Sequence, residues 1–161
     1  KKEAGELWAD VPIFRLIAIF RAATTQSMDR IKKCKEKCFR YNQLSPVDLD
    51  AQRNMLAEIL GEMGDHVIIT PPFWCDYGYH IKIGNRFYAN HNMIITDGAN
   101  VTFGDDVWIA PNCCFTTAEH AVDPEQRKAG IEVAKRSQLE IVSGLARAPQ
   151  FLQALPLGDG A

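Results

Sequence analysis

Between Ile81 and Glu125 the chain reads IKIGNRFYANHNMIITDGANVTFGDDVWIAPNCCFTTAEHAVDPE, and its apolar residues keep a step of six. Phe103-Gly104, Ile109-Ala110 and Phe115-Thr116 each pair an apolar residue with a small or turn-forming one. Ile83, Ala89 and Ile95 hold the same step in the stretch before them. A helix repeats every ~3.6 residues and a two-sided strand every ~2, so neither accounts for six. A parallel β-helix does, because each short flat face contributes one inward apolar side chain and then turns a corner at a small residue. Such coils bury a core only by stacking on one another. His120 follows directly on the last repeat, where a loop is expected to leave the helix, and is the first candidate for chemistry.

Composition narrows the function classes. The 161 residues fit one domain with a small helical appendage, and 47% hydrophobic content supports a real core. A net charge of −2 gives no electrostatic footprint for nucleic acid or an anionic membrane surface. The five cysteines are odd in number and suggest no disulfide framework, which points to a reducing, cytoplasmic compartment. No secretory signal is recognisable, and the apolar run Val11 to Ala23, interrupted by Arg15 and Arg21, is too short to span a bilayer. The chain opens on Lys1, not Met, so its true N-terminus is expected to be missing or trimmed.

Ahead of the repeats, residues 28–41 read as a basic amphipathic helix with Ile31, Cys34, Cys38 and Tyr41 on one stripe. A second helix is expected with Ser45 as N-cap, Pro46 at the first helical position and Asp48 completing a capping-box-like pattern. Its buried face would be Leu49, Met55, Leu56, Ile59 and Leu60, with Gly61 or Gly64 ending it. Three regions follow: helical over 1–64, β-helix over 65–135, and a divergent tail over 136–161. The six-residue pattern stops after Lys135, and the tail reads as a short helix or irregular segment.

The segments AGELW (Ala4 to Trp8), DRIKKCKEKCFRYNQL, CDYGYHIKIGNRFYANHNMIITD and FGDDVWIAPN, then TTAEHAVDPEQRKAG (Thr116 to Gly130), resemble the maltose and galactoside O-acetyltransferases. These are hexapeptide-repeat acyltransferases, and several distinct motifs occur here in the family's order. The resemblance implies a mostly β fold, a left-handed parallel β-helix of hexapeptide repeats preceded by a short N-terminal helical region. It also implies a homotrimer with active sites in clefts between subunits, acetyl-CoA as co-substrate and a small sugar-like acceptor. Two departures stand out: about ten additional residues near 11–27, and an unrelated sequence after Lys135, where relatives continue with further coils. Abrupt edges of this kind arise from a retained intron or a frameshift. The family's β-helix is thus expected to be truncated after Lys135. Its coenzyme contacts, which relatives draw largely from later coils, cannot be assigned to residues here.

In the related enzymes a sugar hydroxyl attacks the acetyl thioester, and a base must take its proton as the bond forms. The resemblance puts His120 in that position, and a histidine is mostly neutral and basic near pH 7. It assigns Asn90 to the reacting centre as a hydrogen-bond donor, although asparagine also suits a left-handed corner. Asp76, Tyr88 and Asp97 match acceptor-pocket positions; the galactoside branch has serine in place of Asp76, so the maltose-like branch is nearer. Asp97 would otherwise be a solvated corner carboxylate. Asp10 and Arg30 match an acidic and a basic residue that reach over the sugar. His66, His80 and His91 read as structural, and with no converging imidazole triad no metal is expected. Cys113 and Cys114 point to opposite sides of a strand with no paired base, and Cys34 and Cys38 read as small buried residues. Trp8, Trp74 and Trp108 read as packing or interface aromatics. The expected function is acetyl transfer from acetyl-CoA to a hydroxyl of a sugar or similar small acceptor. The alternative is a catalytically inactive, truncated β-helix scaffold.

Overall fold

The structure, a computed structural model, describes residues 17–21, 25–135, 139–141, 144–146 and 151–153. Strand β1 (Ile17–Arg21) comes first, followed by helix α1 (Thr25–Asn42) and helix α2 (Leu49–Ile59). The β-helix begins with β2 (Glu62–Met63), β3 (Ile68–Ile69) and β4 (Phe73–Cys75). A second coil follows in β5 (Ile81–Ile83), β6 (Tyr88–Ala89) and β7 (Met93–Thr96), and a third in β8 (Val101–Phe103), β9 (Val107–Ile109) and β10 (Cys114–Thr116). Each coil gives one strand to each of three parallel sheets, so the faces are β2-β5-β8, β3-β6-β9 and β4-β7-β10. The first coil thus starts within the residues assigned from sequence to the helical region.

The register explains the periodicity. Ile83 pairs with Phe103, Ala89 with Ile109 and Ile95 with Phe115, so equivalent positions recur after 20 residues. Two faces take six residues each, and the third takes eight. All of these side chains are buried, and Phe103 stands between Phe87 and Phe115 with ring centroids 5.2 Å away on either side. The corners repeat with the same period. His66, Arg86 and Asp106 share one left-handed corner (φ 56°, 54° and 58°), and Asn92 and Asn112 share the next (φ 66° and 61°). Asn90 is therefore not the left-handed corner residue, and that conformational explanation for it falls away. Gly64 and Gly84 sit where coils approach most closely: a Cβ on Gly84 would lie 2.6 Å from the Gly104 carbonyl carbon. Gly64, like Gly61, is used for coil stacking and does not end α2, which closes at Leu60 in an extended conformation.

Helix α1 runs without Gly or Pro and turns Cys34, Cys38 and Tyr41 inward, with Ile31 half-buried. Its end is pinned to the first coil. The Tyr41 hydroxyl donates to the Ile69 carbonyl, Asn42 Nδ2 donates to the Phe73 carbonyl at 3.0 Å, and the Phe73 N–H donates back to Asn42 Oδ1 at 2.8 Å. The N-cap of α2 is Asp48, whose carboxylate accepts the Ala51 N–H at 3.0 Å, and not Ser45. The Ser45 carbonyl instead accepts the Asp48 N–H and Gln52 Nε2, so the chain is still turning when it passes Pro46. This shift also exposes Leu49, and Gln52 takes its place on the buried face.

After β10 the chain leaves the coil through β11 (Ala118–His120), helix α3 (Pro124–Lys128) and β12 (Ile131–Lys135). β12 lies antiparallel between β11 and β1, which brings Ile17–Arg21 against this excursion. The β-helix then resumes: β13 (Leu139–Ile141), β14 (Gly144–Ala146) and β15 (Phe151–Gln153) pair parallel with β8, β9 and β10. The sequence reading of a short helix or irregular tail is corrected here. The strands carry small or aliphatic residues at the register positions of Phe103, Ile109 and Phe115, namely Ile141, Ala146 and Leu152, and the open edge of the third coil supplies the hydrogen bonds. The steps between them are five and six, which hides them from a strict hexapeptide search.

Phe103→Ala should test whether this central aromatic stack carries the core. Removing a buried Phe costs about 3–5 kcal/mol, seen as a lower urea midpoint with little change in slope. A change below about 1 kcal/mol would mean that the three rings do not pack as one unit.

Candidate active site

The eight-residue step between Ile95 and Phe103 creates a wider corner, and three of the site candidates, Asp97, Asp76 and Arg30, lie at it or on the turn stacked against it. Asp97 occupies its start and is fully buried. Its Oδ1 accepts the N–H groups of Asp76 and Tyr77, each at 2.9 Å, and its Oδ2 accepts that of Gly78 at 2.7 Å. The carboxylate therefore folds the corresponding turn of the coil below, and the alternative reading of Asp97 as a solvated corner carboxylate falls away. Burial pushes its pKa up to about 6, against the pull of those N–H donors, which favour the charged form. His80 Nδ1 lies 2.6 Å from the Asp97 carbonyl, which gives that histidine a structural role.

Asp76 stands half-buried on this turn, and Arg30 of α1 reaches Tyr79 on its far side. The Arg30 guanidinium donates to the Tyr79 hydroxyl at 3.5 Å and lies 6.0 Å from the centre of that ring. A cleft of about 170 Å³ opens here between α1 and the turn, lined by Arg30, Lys33, Lys37, Tyr77 and Tyr79 among others. Its two extra lysines and two tyrosines carried no signal in the sequence beyond a basic helix and a CDYGY run.

Thr117 takes the place of Asp97 one coil higher and was also missed. Its hydroxyl donates to the Thr96 carbonyl at 3.1 Å and accepts the Ala99 N–H at 2.8 Å. The interval of 20 residues between Asp97 and Thr117 is the clue that would have found it. Three residues further, at the end of β11, His120 is exposed and stands opposite Glu132 of β12. It thus leaves the column of corners that holds Asp76 and Asp97.

Asn90 and Tyr88 lie elsewhere. Asn90 sits at the corner before β7, where its N–H donates to the Ile109 carbonyl at 2.9 Å and its Oδ1 accepts the His91 N–H at 2.7 Å. Among the described residues its Nδ2 has no partner, which leaves two donors for a ligand. Tyr88 packs edge-on against Trp108 with centroids 6.2 Å apart. Asn90 and Asp97 are at opposite ends of β7, separated by roughly 10 Å or more at ~3.3 Å per residue. Asp10 lies outside the described residues.

Asp97 gives a pH test. Its folded pKa of about 6 lies above its ordinary 3.8, so the stability it contributes is complete below about pH 3.8 and is lost as pH rises through 6. The loss should amount to about 3 kcal/mol at most. Urea unfolding of wild type and Asp97→Asn between about pH 4 and pH 7 isolates it. The wild type should lose stability relative to the variant across that window; a difference constant with pH would show that the buried carboxylate keeps an ordinary pKa.

Comparison with known proteins shows what these features resemble. The maltose acetyltransferase hexapeptide capping motif matches residues 19–64. The Saccharomyces cerevisiae protein YJL218W is 50% identical over 103 residues, covering 64% of this chain and 53% of that protein. Among solved structures, a maltose O-acetyltransferase from Clostridium difficile 630 superposes with a TM-score of 0.70 at 28% identity, covering 72% of this chain and 62% of the other. A galactoside acetyltransferase in complex with coenzyme A gives 0.66 at 26% identity, over 73% and 58% of the two chains. The chain spans about half the length of the curated relatives it matches. With the capping motif matched over residues 19–64 and a left-handed parallel β-helix behind it, the chain resembles the maltose and galactoside O-acetyltransferases, which are hexapeptide-repeat acyltransferases, in sequence and in fold.

Proposed function

We propose that this protein transfers the acetyl group of acetyl-CoA to a hydroxyl of a sugar or similar small acceptor, with His120 as general base. The observation that carries the reading is the position of His120: an exposed imidazole on the loop that leaves the Asp76–Asp97 corner, in a fold shared with an acetyltransferase that binds coenzyme A. The hydroxyl oxygen attacks the thioester carbonyl carbon while His120 takes its proton. The C–S bond then breaks, and the departing sulfur takes a proton as the free thiol. Asn90 Nδ2 is suited to donate to the oxygen on which negative charge develops. Asp97 acts through the turn that carries Asp76 and makes no direct contact with the acceptor. Arg30 offers donors from above.

His120 and Asn90 lie on different corners, so a reaction centre that uses both is best assembled between two chains. A homotrimer with its sites in the clefts between neighbours meets that need. Strands β13–β15 bear on the choice between enzyme and inactive scaffold. They extend the β-helix beyond the excursion, so a surface for the coenzyme need not end at Lys135. The free cysteines suit a reducing compartment such as the cytoplasm. No helix among the described residues is long and apolar enough to cross a membrane.

Acetyl-CoA binding by calorimetry, followed by thiol release with maltose, glucose and galactosides as acceptors, tests the proposal. His120→Ala should lower turnover by about 10²- to 10⁴-fold while leaving coenzyme binding in place. Most of the activity surviving in His120→Ala would remove His120 from the mechanism, and wild type that neither binds nor turns over acetyl-CoA would favour the scaffold reading.

Sedimentation provides a separate check. Trimers are expected at micromolar concentration, and a strict monomer that is nonetheless active would rule out the shared site.

A further inference from the structure

Packing of α1 on the first coil brings together three sulfurs that are distant in sequence. Cys34 and Cys38 face inward one helical turn apart, and Cys75 ends β4 directly beneath them. Cys75 Sγ lies 3.5 Å from Cys34 Sγ and 3.7 Å from Cys38 Sγ, and all three sulfurs fall within 4.8 Å of one another. They are buried to 4%, 0% and 3% exposure, so no thiol is spent on a solvent contact. Sulfurs held at ~2.3 Å around one metal ion are separated by roughly 3.8–4.0 Å in tetrahedral or trigonal geometry, and small side-chain rotations would bring this trio to that spacing.

We propose that Cys34, Cys38 and Cys75 form a binding site for a single thiophilic d¹⁰ metal ion, with Cu(I) a better fit than Zn(II). Soft thiolates select these ions over hard cations. Structural Zn(II) takes four ligands, and no fourth side-chain donor joins the cluster among the described residues. The Asp97 carboxylate is occupied by three backbone N–H groups. Three sulfurs complete the coordination of Cu(I) by themselves.

The surroundings supply what such a site needs. The cleft between α1 and the Tyr77–Tyr79 turn reaches Cys34 and gives the ion a path inward. Arg30, Lys33 and Lys37 line that cleft and offset the negative charge of a thiolate–metal unit. Binding releases the ligand protons to solvent, with no change of oxidation state. The cluster ties α1 to β4 at the base of the Asp76 turn, so an ion here would fasten the capping helix to the β-helix.

The test uses the full chain, reduced and free of oxygen. Cu(I) is offered as its bicinchoninate complex in one titration, and Zn(II) with a chromophoric chelator in the other. One equivalent of Cu(I) should leave the chelator, and a sulfur-to-copper charge-transfer band should grow in the near ultraviolet. Cys34→Ser and Cys75→Ser should abolish that equivalent, whereas Cys114→Ser, outside the cluster, should keep it. Uptake of one Zn(II) in place of Cu(I), lost in the same variants, would support the cysteine site and identify the ion as zinc. X-ray absorption on loaded wild type needs no variant to fold, and should show a sulfur shell at about 2.2–2.3 Å. The proposal is overturned if reduced wild type leaves both metals with their chelators. It also fails if Cys75→Ser binds as wild type does, or if the metal shows only nitrogen and oxygen neighbours.

Discussion

Stacking in register at an interval of 20 residues is the constraint on which everything else in this molecule depends. Each coil is too short to bury anything alone, and its strands of two to four residues would have no stability in isolation. Placed on one another, the coils align Ile83 with Phe103 and Ile95 with Phe115, so a continuous apolar column is removed from water. The same interval aligns polar corners: Asn85 meets Asp105, Arg86 meets Asp106, and Asn92 meets Asn112. These outer pairs are exposed and add little energy individually. They do penalise a slip of register, because any shift leaves each of them facing the wrong neighbour.

The site follows from a break in that regularity. Two corners take the shortest route between faces, and the third holds two additional residues. Into that space turn the Asp97 carboxylate and, a coil higher, the Thr117 hydroxyl, each answering backbone N–H groups that the wider turn leaves unpaired. At the next coil the same corner opens further into the excursion that carries His120. A fold whose core resists variation can thus vary its corners freely. Arg30 and the neighbouring lysines reach this column only because Tyr41 and Asn42 anchor α1 to the first coil.

The excursion and strand β1 meet in an antiparallel sheet, β1-β12-β11, that runs against the parallel logic of the rest. Antiparallel pairing allows a segment far away in sequence to cover an open edge. β12 pairs on one side with β11, which bears His120, and on the other with β1.

The sequence alone determined the β-helix and its inward residues, since an apolar step of six leaves no other regular solution. It also fixed the buried stripe of α1 and located His120 at the start of the excursion. The cap of α2 was misplaced because Ser45, Pro46 and Asp48 all satisfy local rules, and only the actual turn decides which oxygen meets the first free N–H. Strands β13–β15 were missed because their steps of five and six depart from the pattern, while parallel pairing requires only backbone partners at the open edge. The turn-holding role of Asp97 was not legible, since its three N–H donors come from a turn some 20 residues earlier. Tertiary structure alone decided that Asn90 and His120 stand on separate corners, and that Cys75 joins Cys34 and Cys38. The physical reason is common to both: a spacing of 20 residues, or of 41 between Cys34 and Cys75, becomes proximity only when coils and helix are stacked.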